Sequence, residues 1–254
     1  MLSDMELITW HFPRNADLTI YPISDVHLGA AEHMAARWEY FCARVLRENN
    51  SYLILGGDLL NNGVKTSISN CYLETLPPMA ARELLCEMLE PLADRILCMV
   101  SGNHERRNRD VDNSPSYDIA RILGIEKVYR ENTAFMKLQI GDIDCAGNRN
   151  PTYVFCTTHG AGTGTAKAER FAYSLENVDC FVSGHTHKPS VTQPAKIRVD
   201  THNNRVSIRP FKMVTMTSWL AWGGYAAQAM YTPTSWAPQK IVLNGKKKEI
   251  KVEM

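Results

Sequence analysis

Five of the eight histidines in this 254-residue chain sit in short polar loops, each directly after an apolar run. Asp25-Val26-His27 follows residues 18–24, Gly57-Asp58 follows 52–55, and Asn103-His104-Glu105 follows 96–102. His159 closes the run 153–158, and Gly184-His185-Thr186-His187 follows 180–183. Imidazole, carboxylate and one amide oxygen, with no thiolate, form a donor set for borderline-to-hard divalent ions such as Mn, Fe or Zn, and not for a structural zinc site. Seven such donors are too many for one tetrahedral ion and suit two ions that share a bridge, roughly 3.5–4 Å apart. His159 alone would read as an ordinary structural histidine. The whole set, delivered at five strand ends, reads as a site.

The elements that must position these loops are legible in outline. Residues 18–24, 52–55 and 96–100 read as buried strands, with Pro22 to be accommodated near the end of the first. Between them, 31–48 carries Trp38, Phe41, Val45 and Leu46 at helical spacing. Residues 71–90 predict a second helix, interrupted near Pro77-Pro78, with Leu84, Leu85, Met88 and Leu89 inward. Strand, helix, strand, helix, strand, each strand ending in polar residues, is the pattern of a parallel sheet with its site at the carboxyl ends. Beyond residue 115 the reading is a short helix at 116–123, a hairpin of 133–140 with 143–145, and a strand at 153–158. A glycine-rich loop (Gly160, Gly162, Gly164) then leads to a helix at 165–175 and a strand at 180–183. Antiparallel segments are expected over 190–217 with a turn at Asn203-Asn204, and a closing hairpin around Asn244-Gly245. Trp219, Trp222, Tyr225, Tyr231 and Trp236 are expected to be core, since aromatics bury large areas; a substrate-stacking surface is the sharper alternative.

Composition narrows the class. With 44% hydrophobic residues the chain can bury a large core, and residues 1–254 are expected to form a single domain. A net charge of +1 gives no global field toward nucleic acid or membranes, so affinity for polyanions must come from a local patch. The seven cysteines are scattered without a Cys-x-x-Cys spacing, as in a reducing compartment. Residues 1–6 lack the basic-then-apolar order of a secretory signal, and no run approaches a membrane span. The expected location is the cytoplasm.

Asp25-Val26-His27, Gly57-Asp58, Gly102-Asn103-His104-Glu105, His159 and Gly184-His185-Thr186-His187 stand in an order and spacing that resemble the calcineurin-like metallophosphoesterases. All five blocks of that family's pattern are present, over residues 25–187. The resemblance implies an α/β fold of four layers, two mixed β-sheets face to face with helices outside. Residues 190–254 would then supply second-sheet strands and the aromatic segment. It implies that Asp25, His27 and His187 hold one divalent ion and Asn103, His159 and His185 a second, with Asp58 bridging. Two such ions acidify a shared water and neutralise phosphate oxygens. His104 would be the general acid that protonates the leaving oxygen.

The blocks also bear on substrate. The phosphoprotein phosphatase branch carries Gly-Asp-x-x-Asp-Arg-Gly, where this chain has Gly57-Asp58-Leu59-Leu60-Asn61-Asn62-Gly63. Asn61 can accept a hydrogen bond from His104 without stabilising imidazolium as a carboxylate does, and Asn62 cannot clamp phosphate. A phosphoprotein substrate is disfavoured. The opening Ser24-Asp25-Val26-His27-Leu28-Gly29 looks most like the phosphodiesterase and nuclease branches. Asn61, Arg106 and Arg107, with Arg109 beyond, are candidate contacts to a phosphorylated substrate, DNA or a nucleotide. The expectation is a manganese-dependent phosphodiesterase. The alternatives are a phosphatase or diesterase for small phosphorylated molecules and a non-catalytic binding scaffold.

Overall fold

The structure is a computed structural model that describes residues 4–65, 67, 71–108, 114–142 and 150–254. In chain order the elements are β1 (Leu7–Phe12), β2 (Leu18–Ile23), α1 (Ala35–Arg47), β3 (Ser51–Leu55), α2 (Pro78–Leu89), β4 (Ile96–Val100), α3 (Pro115–Ile122) and β5 (Tyr129–Arg130). They continue with β6 (Thr133–Ile140), β7 (Thr152–Thr158), α4 (Ala166–Ser174), β8 (Cys180–Ser183), β9 (Ser190–Thr192), β10 (Ala195–Asp200) and β11 (Arg205–Pro210). β12 (Lys212–Thr215), α5 (Gly224–Gln228), β13 (Lys240–Leu243) and β14 (Ile250–Glu253) complete the chain. One six-stranded sheet runs β14-β13-β2-β3-β4-β5, the other β1-β6-β7-β8-β12-β9, and both mix parallel with antiparallel pairs. The hairpin β10-β11 is a separate two-stranded ribbon.

The two sheets face each other because alternate residues of each strand have different burial partners. Ile54 of β3 joins Ile20, Leu97, Met136, Phe155 and Val182 in the core between the sheets. Its neighbours Leu53 and Leu55 point the other way, against Trp38 and Phe41 of α1 and Leu85 and Leu89 of α2. On the outer face of the second sheet, Ala172 of α4 packs on Cys156 and Phe181. The result is the expected α/β four-layer sandwich. Strands covered on both faces read as continuous apolar runs, which is why β2, β3, β4 and β8 are visible in the sequence. β13 pairs β2 only at Leu18–Ile20, so Pro22 lies where β2 has β3 as its one ladder partner and a missing N–H is tolerated.

Several expectations are corrected. β1 was not foreseen; its burial alternates along an edge strand, a weaker signal than a doubly covered run. The second helix begins only at Pro78, after a single 3₁₀ turn at Cys71–Leu73, because proline fits the first helical turn and not the interior. Leu46 and Leu84 face outward. Within 190–217, β12 runs parallel to β8 and antiparallel to β9, so the segment is not one antiparallel meander. Residues 143–145, proposed as a hairpin arm, lie outside the described residues. Of the aromatic segment, Trp219 is fully buried with ring centroids 5.0 Å from both Trp38 and Phe41 and 5.3 Å from Trp236. Trp222 and Tyr231 are exposed. Five of the six described cysteines are buried and all six are unpaired, and no described helix is long and apolar enough to cross a membrane.

Candidate metal centre

Three strands of the first sheet and two of the second end at one place. β2 delivers Asp25 and His27, β3 Asp58, β4 Asn103 and His104, β7 His159, and β8 His185 and His187. The chain passes through the left-handed region at the ends of β2, β3 and β8. Asp25, His27, Asp58, His185 and His187 have φ of 54°, 49°, 50°, 71° and 55°. The left-handed region costs an L-residue about 1–2 kcal/mol, so the surrounding fold must enforce each one. Backbone bonds between the loops do so: Asp25 N–H to Gly57 O (3.0 Å), His27 N–H to Asp58 O (3.0 Å) and Gly184 N–H to His159 O (3.0 Å). The β3 and β4 ends approach so closely that a methyl group on Gly102 would occupy the space of the Asp58 side chain and amide. Glu105 completes the frame. Its buried carboxylate accepts from the backbone N–H groups of Asp58 (3.0 Å), Leu59 (2.6 Å), Leu60 (3.0 Å) and Gly102 (2.9 Å). Nothing in the residue pattern marks this role, although Glu105 stands inside one of the five blocks.

The side chains then converge. Asp58 accepts the His104 amide on Oδ1 at 2.8 Å and turns Oδ2 to His159 Nε2 (3.2 Å), His104 Nε2 (3.7 Å) and His27 Nε2 (3.9 Å). Asp25 takes Ser24 Oγ and the His185 amide on Oδ2, and Oδ1 stands 3.0 Å from His187 Nε2. His159 Nε2 is 3.1 Å from Asn103 Oδ1, and His27 Nε2 is 3.3 Å from His187 Nε2. Two rings are pinned from behind: His159 Nδ1 donates to Gly56 O at 2.8 Å, and His104 Nδ1 to Asn61 O at 2.7 Å. A donated Nδ1–H fixes the tautomer and turns the Nε2 lone pair into the site.

These atoms suit divalent cations. Asp25 Oδ1 and His27 Nδ1 are buried without an aligned hydrogen-bond partner, while backbone amides reach only the other oxygen of Asp25 and Oδ1 of Asp58. Among the described residues, three sets bring one ligand atom per residue within 4.8 Å of one another: Asp25, His27 and His187; His27, Asp58 and His104; Asp58, His159 and His185. Such crowding is costly unless a cation satisfies it.

The side chains of the site shift one another's charge. Burial raises the Asp58 carboxyl, but His159, His104 and His27 outweigh it and hold it well below the usual carboxylate range. Asp25 is likewise lowered, burial being overcome by His187 and His27. His159 is pushed up to about 9, burial being overcome by Asp58 and Asp25. His104 is pushed down to about 3 by burial, by His27 and by Arg107, so its imidazole is neutral. Burial and the Asp58 charge drive Glu105 up to about 7, against the pull of its backbone donors.

The candidate substrate contacts separate. Arg107 donates to His104 Nε2 (2.8 Å) and to Asn61 O (3.2 Å), and stands at the site. Arg106 turns back to Ser101 O (2.8 Å) and Glu131 O (3.4 Å). Asn61 meets His104 through its backbone carbonyl, while its side-chain amide donates to Glu74 Oε1 at 2.9 Å. Asn62 donates to His104 O at 2.8 Å, which braces the loop. Arg109 lies outside the described residues.

A fold of two mixed sheets between helices, with a buried His/Asp cluster at its strand ends, defines a metal-dependent hydrolase scaffold. The family profile described as calcineurin-like phosphoesterase matches residues 18–189, and the chain belongs to that family of metal-dependent phosphoric ester hydrolases. Comparison with curated proteins returned no match. Among solved structures, a metallophosphoesterase from Sphaerobacter thermophilus matches over 93% of this chain and 89% of its own, at 13% identity and a TM-score of 0.39. GAP50, described as the anchor in the inner membrane complex of Plasmodium, matches over 94% and 88%, at 10% identity and a TM-score of 0.40. At such scores neither likeness carries weight for fold or function.

Proposed function

We propose that the chain is a two-metal phosphodiesterase of the reducing cytoplasm, acting on DNA or another nucleotide diester. Asp25, His27 and His187 would hold one ion, Asn103, His159 and His185 the other, and Asp58 would bridge. Manganese fits this oxygen- and imidazole-rich set. Bound there, divalent ions supply Lewis acidity, lowering the pKa of water and offsetting charge on phosphate oxygens. The chain's own residues supply the rest. His104 carries the leaving-group proton on Nε2, and Asn61 O takes its Nδ1–H and so steadies the imidazolium. Arg107 donates to that same nitrogen at 2.8 Å. An arriving phosphate draws the guanidinium onto its oxygens and frees His104 Nε2 to be protonated.

The observation that carries this reading is Asp58 Oδ2, faced by His159, His27 and His104 at once. Preference for a diester rests on charge. Among the described residues one guanidinium, Arg107, stands at His104, and Arg106 is committed to Ser101 and Glu131. A single clamp suits the single negative charge of a diester better than a dianionic monoester.

The test compares bis-p-nitrophenyl phosphate with p-nitrophenyl phosphate in manganese, with single- and double-stranded DNA in parallel. Diester and DNA turnover is expected, and His104→Ala should lower it by about 10²–10⁴-fold while two ions remain bound. Monoester turnover alone would assign a small-molecule phosphatase. Retained turnover in His104→Ala would remove the acid role. A protein that binds two ions and hydrolyses neither ester nor DNA would defeat the diester reading.

A further inference from the structure

The ribbon β10-β11 is amphipathic the wrong way round. Its register pairs Ala195 with Pro210, Ile197 with Ile208, and Val199 with Val206, so six apolar residues share one face. All six are exposed, the four β-branched ones at 76%, 75%, 66% and 67% for Ile197, Ile208, Val199 and Val206. The opposite face carries Lys196, Arg198, Asp200, Arg205, Ser207 and Arg209, and that is the face tied to the body. Lys196 Nζ donates to the last carbonyls of α4, at Ala172 (3.2 Å), Tyr173 (2.7 Å) and Leu175. Arg209 reaches Asn177 and Asp179. Polar anchors therefore fix which face looks out, and it is the apolar one.

We propose that this face is a dimer interface, covered by the same face of a second copy of this chain. A two-stranded ribbon is marginal on its own and needs something packed on its apolar side. At these exposures the six residues present on the order of 500 Å², at the upper end for a patch on a monomer. Two copies together bury about 1,000 Å², where specific interfaces begin. A two-fold axis through the face sets β-branched side chains against β-branched side chains in both copies. Because every charged residue of the ribbon lies on the far face, no like charges meet. The same arrangement disfavours an anionic lipid surface, which would call for basic residues around the apolar face. The proposal is independent of the reaction assigned to the metal centre.

Sedimentation equilibrium of the full chain tests it. The native protein should read as twice 28.6 kDa, and the double substitution Ile197→Arg with Ile208→Arg as 28.6 kDa. Burying unpaired charge should weaken association by about 100-fold or more, with metal content unchanged. Should the arginine variant misfold by circular dichroism, Val206→Thr with Ile208→Thr keeps β-propensity and should still weaken the dimer. A native monomer would overturn the proposal, and so would a dimer that neither pair of substitutions loosens. A monomer that floats with phosphatidylcholine vesicles, and stops doing so in either variant, would assign the face to lipid instead.

Discussion

The Asp58 side of the centre and the Asp25 side are built from the same residue types and braced very differently. Around Asp58, His159 is pinned to Gly56 O, His104 to Asn61 O, and the loop beneath is held by four bonds to Glu105. Around Asp25, Oδ1 and His27 Nδ1 have no aligned partner, and the His187 side chain is 38% exposed. His187 is steadied from behind through its backbone carbonyl, which accepts from Thr234 Oγ1 at 3.0 Å. Ligands whose second nitrogen is already engaged lose less freedom when they close on an ion. The two ions should therefore bind in two steps, the tighter on the Asp58 side.

The largest effect should come from the residue both sides share. Asp58→Asn keeps the shape but removes the charge that draws His159, His104 and His27 together. Bound metal should fall below two ions per chain by elemental analysis, and diester turnover by about 10³-fold. Two ions retained at full occupancy would mean that the sides are independent. Chelation comes next. Ions that bind only the folded state add about 2.7 kcal/mol at a hundredfold excess over their dissociation constant, so stripping the loaded protein should lower its melting temperature. Titrating manganese back should restore it in two phases; a single phase would erase the asymmetry. Gly102→Ala should cost a similar ~1–3 kcal/mol even without metal, because its methyl group collides with Asp58. A lower urea midpoint with unchanged slope is the expected readout.

Much of this was legible because function sits where the fold is most regular. β3 and β4 are covered on both faces, so Ile54 and Leu97 stand in unbroken apolar runs, and the polar residues that end those runs stand out. What stayed hidden depends on direction rather than on residue type. Arg106 and Arg107 are adjacent and chemically alike, yet one turns into the fold and the other to His104. The hydrogen bond expected of the Asn61 side chain is made by its carbonyl, because Glu74 holds the amide. Trp219 and Trp222 are three residues apart, and only the first meets the aromatic core. Alternation in β10-β11 was visible, but only Lys196 and Arg209, bonded to the body, fix which face is outside. Glu105 belongs to one of the blocks, while its four partners lie on backbone that no side-chain pattern encodes.

The smallest predicted effects separate the two sides without reference to metal. His159→Ala in chelator leaves the Gly56 carbonyl without its buried donor, which should cost about 1–3 kcal/mol. His187→Ala takes away the imidazole 3.0 Å from the buried Asp25 carboxylate, as His159→Ala does for Asp58, but leaves no backbone carbonyl without its donor, and should cost less than His159→Ala. Both remove one ligand, so both should reduce metal binding, and the contrast appears only in urea melts of the metal-free proteins. An equal cost would mean that the bond to Gly56 stores nothing before a cation arrives. The difference between the sides would then be one of exposure alone, and the expected order of metal binding would lose its physical basis.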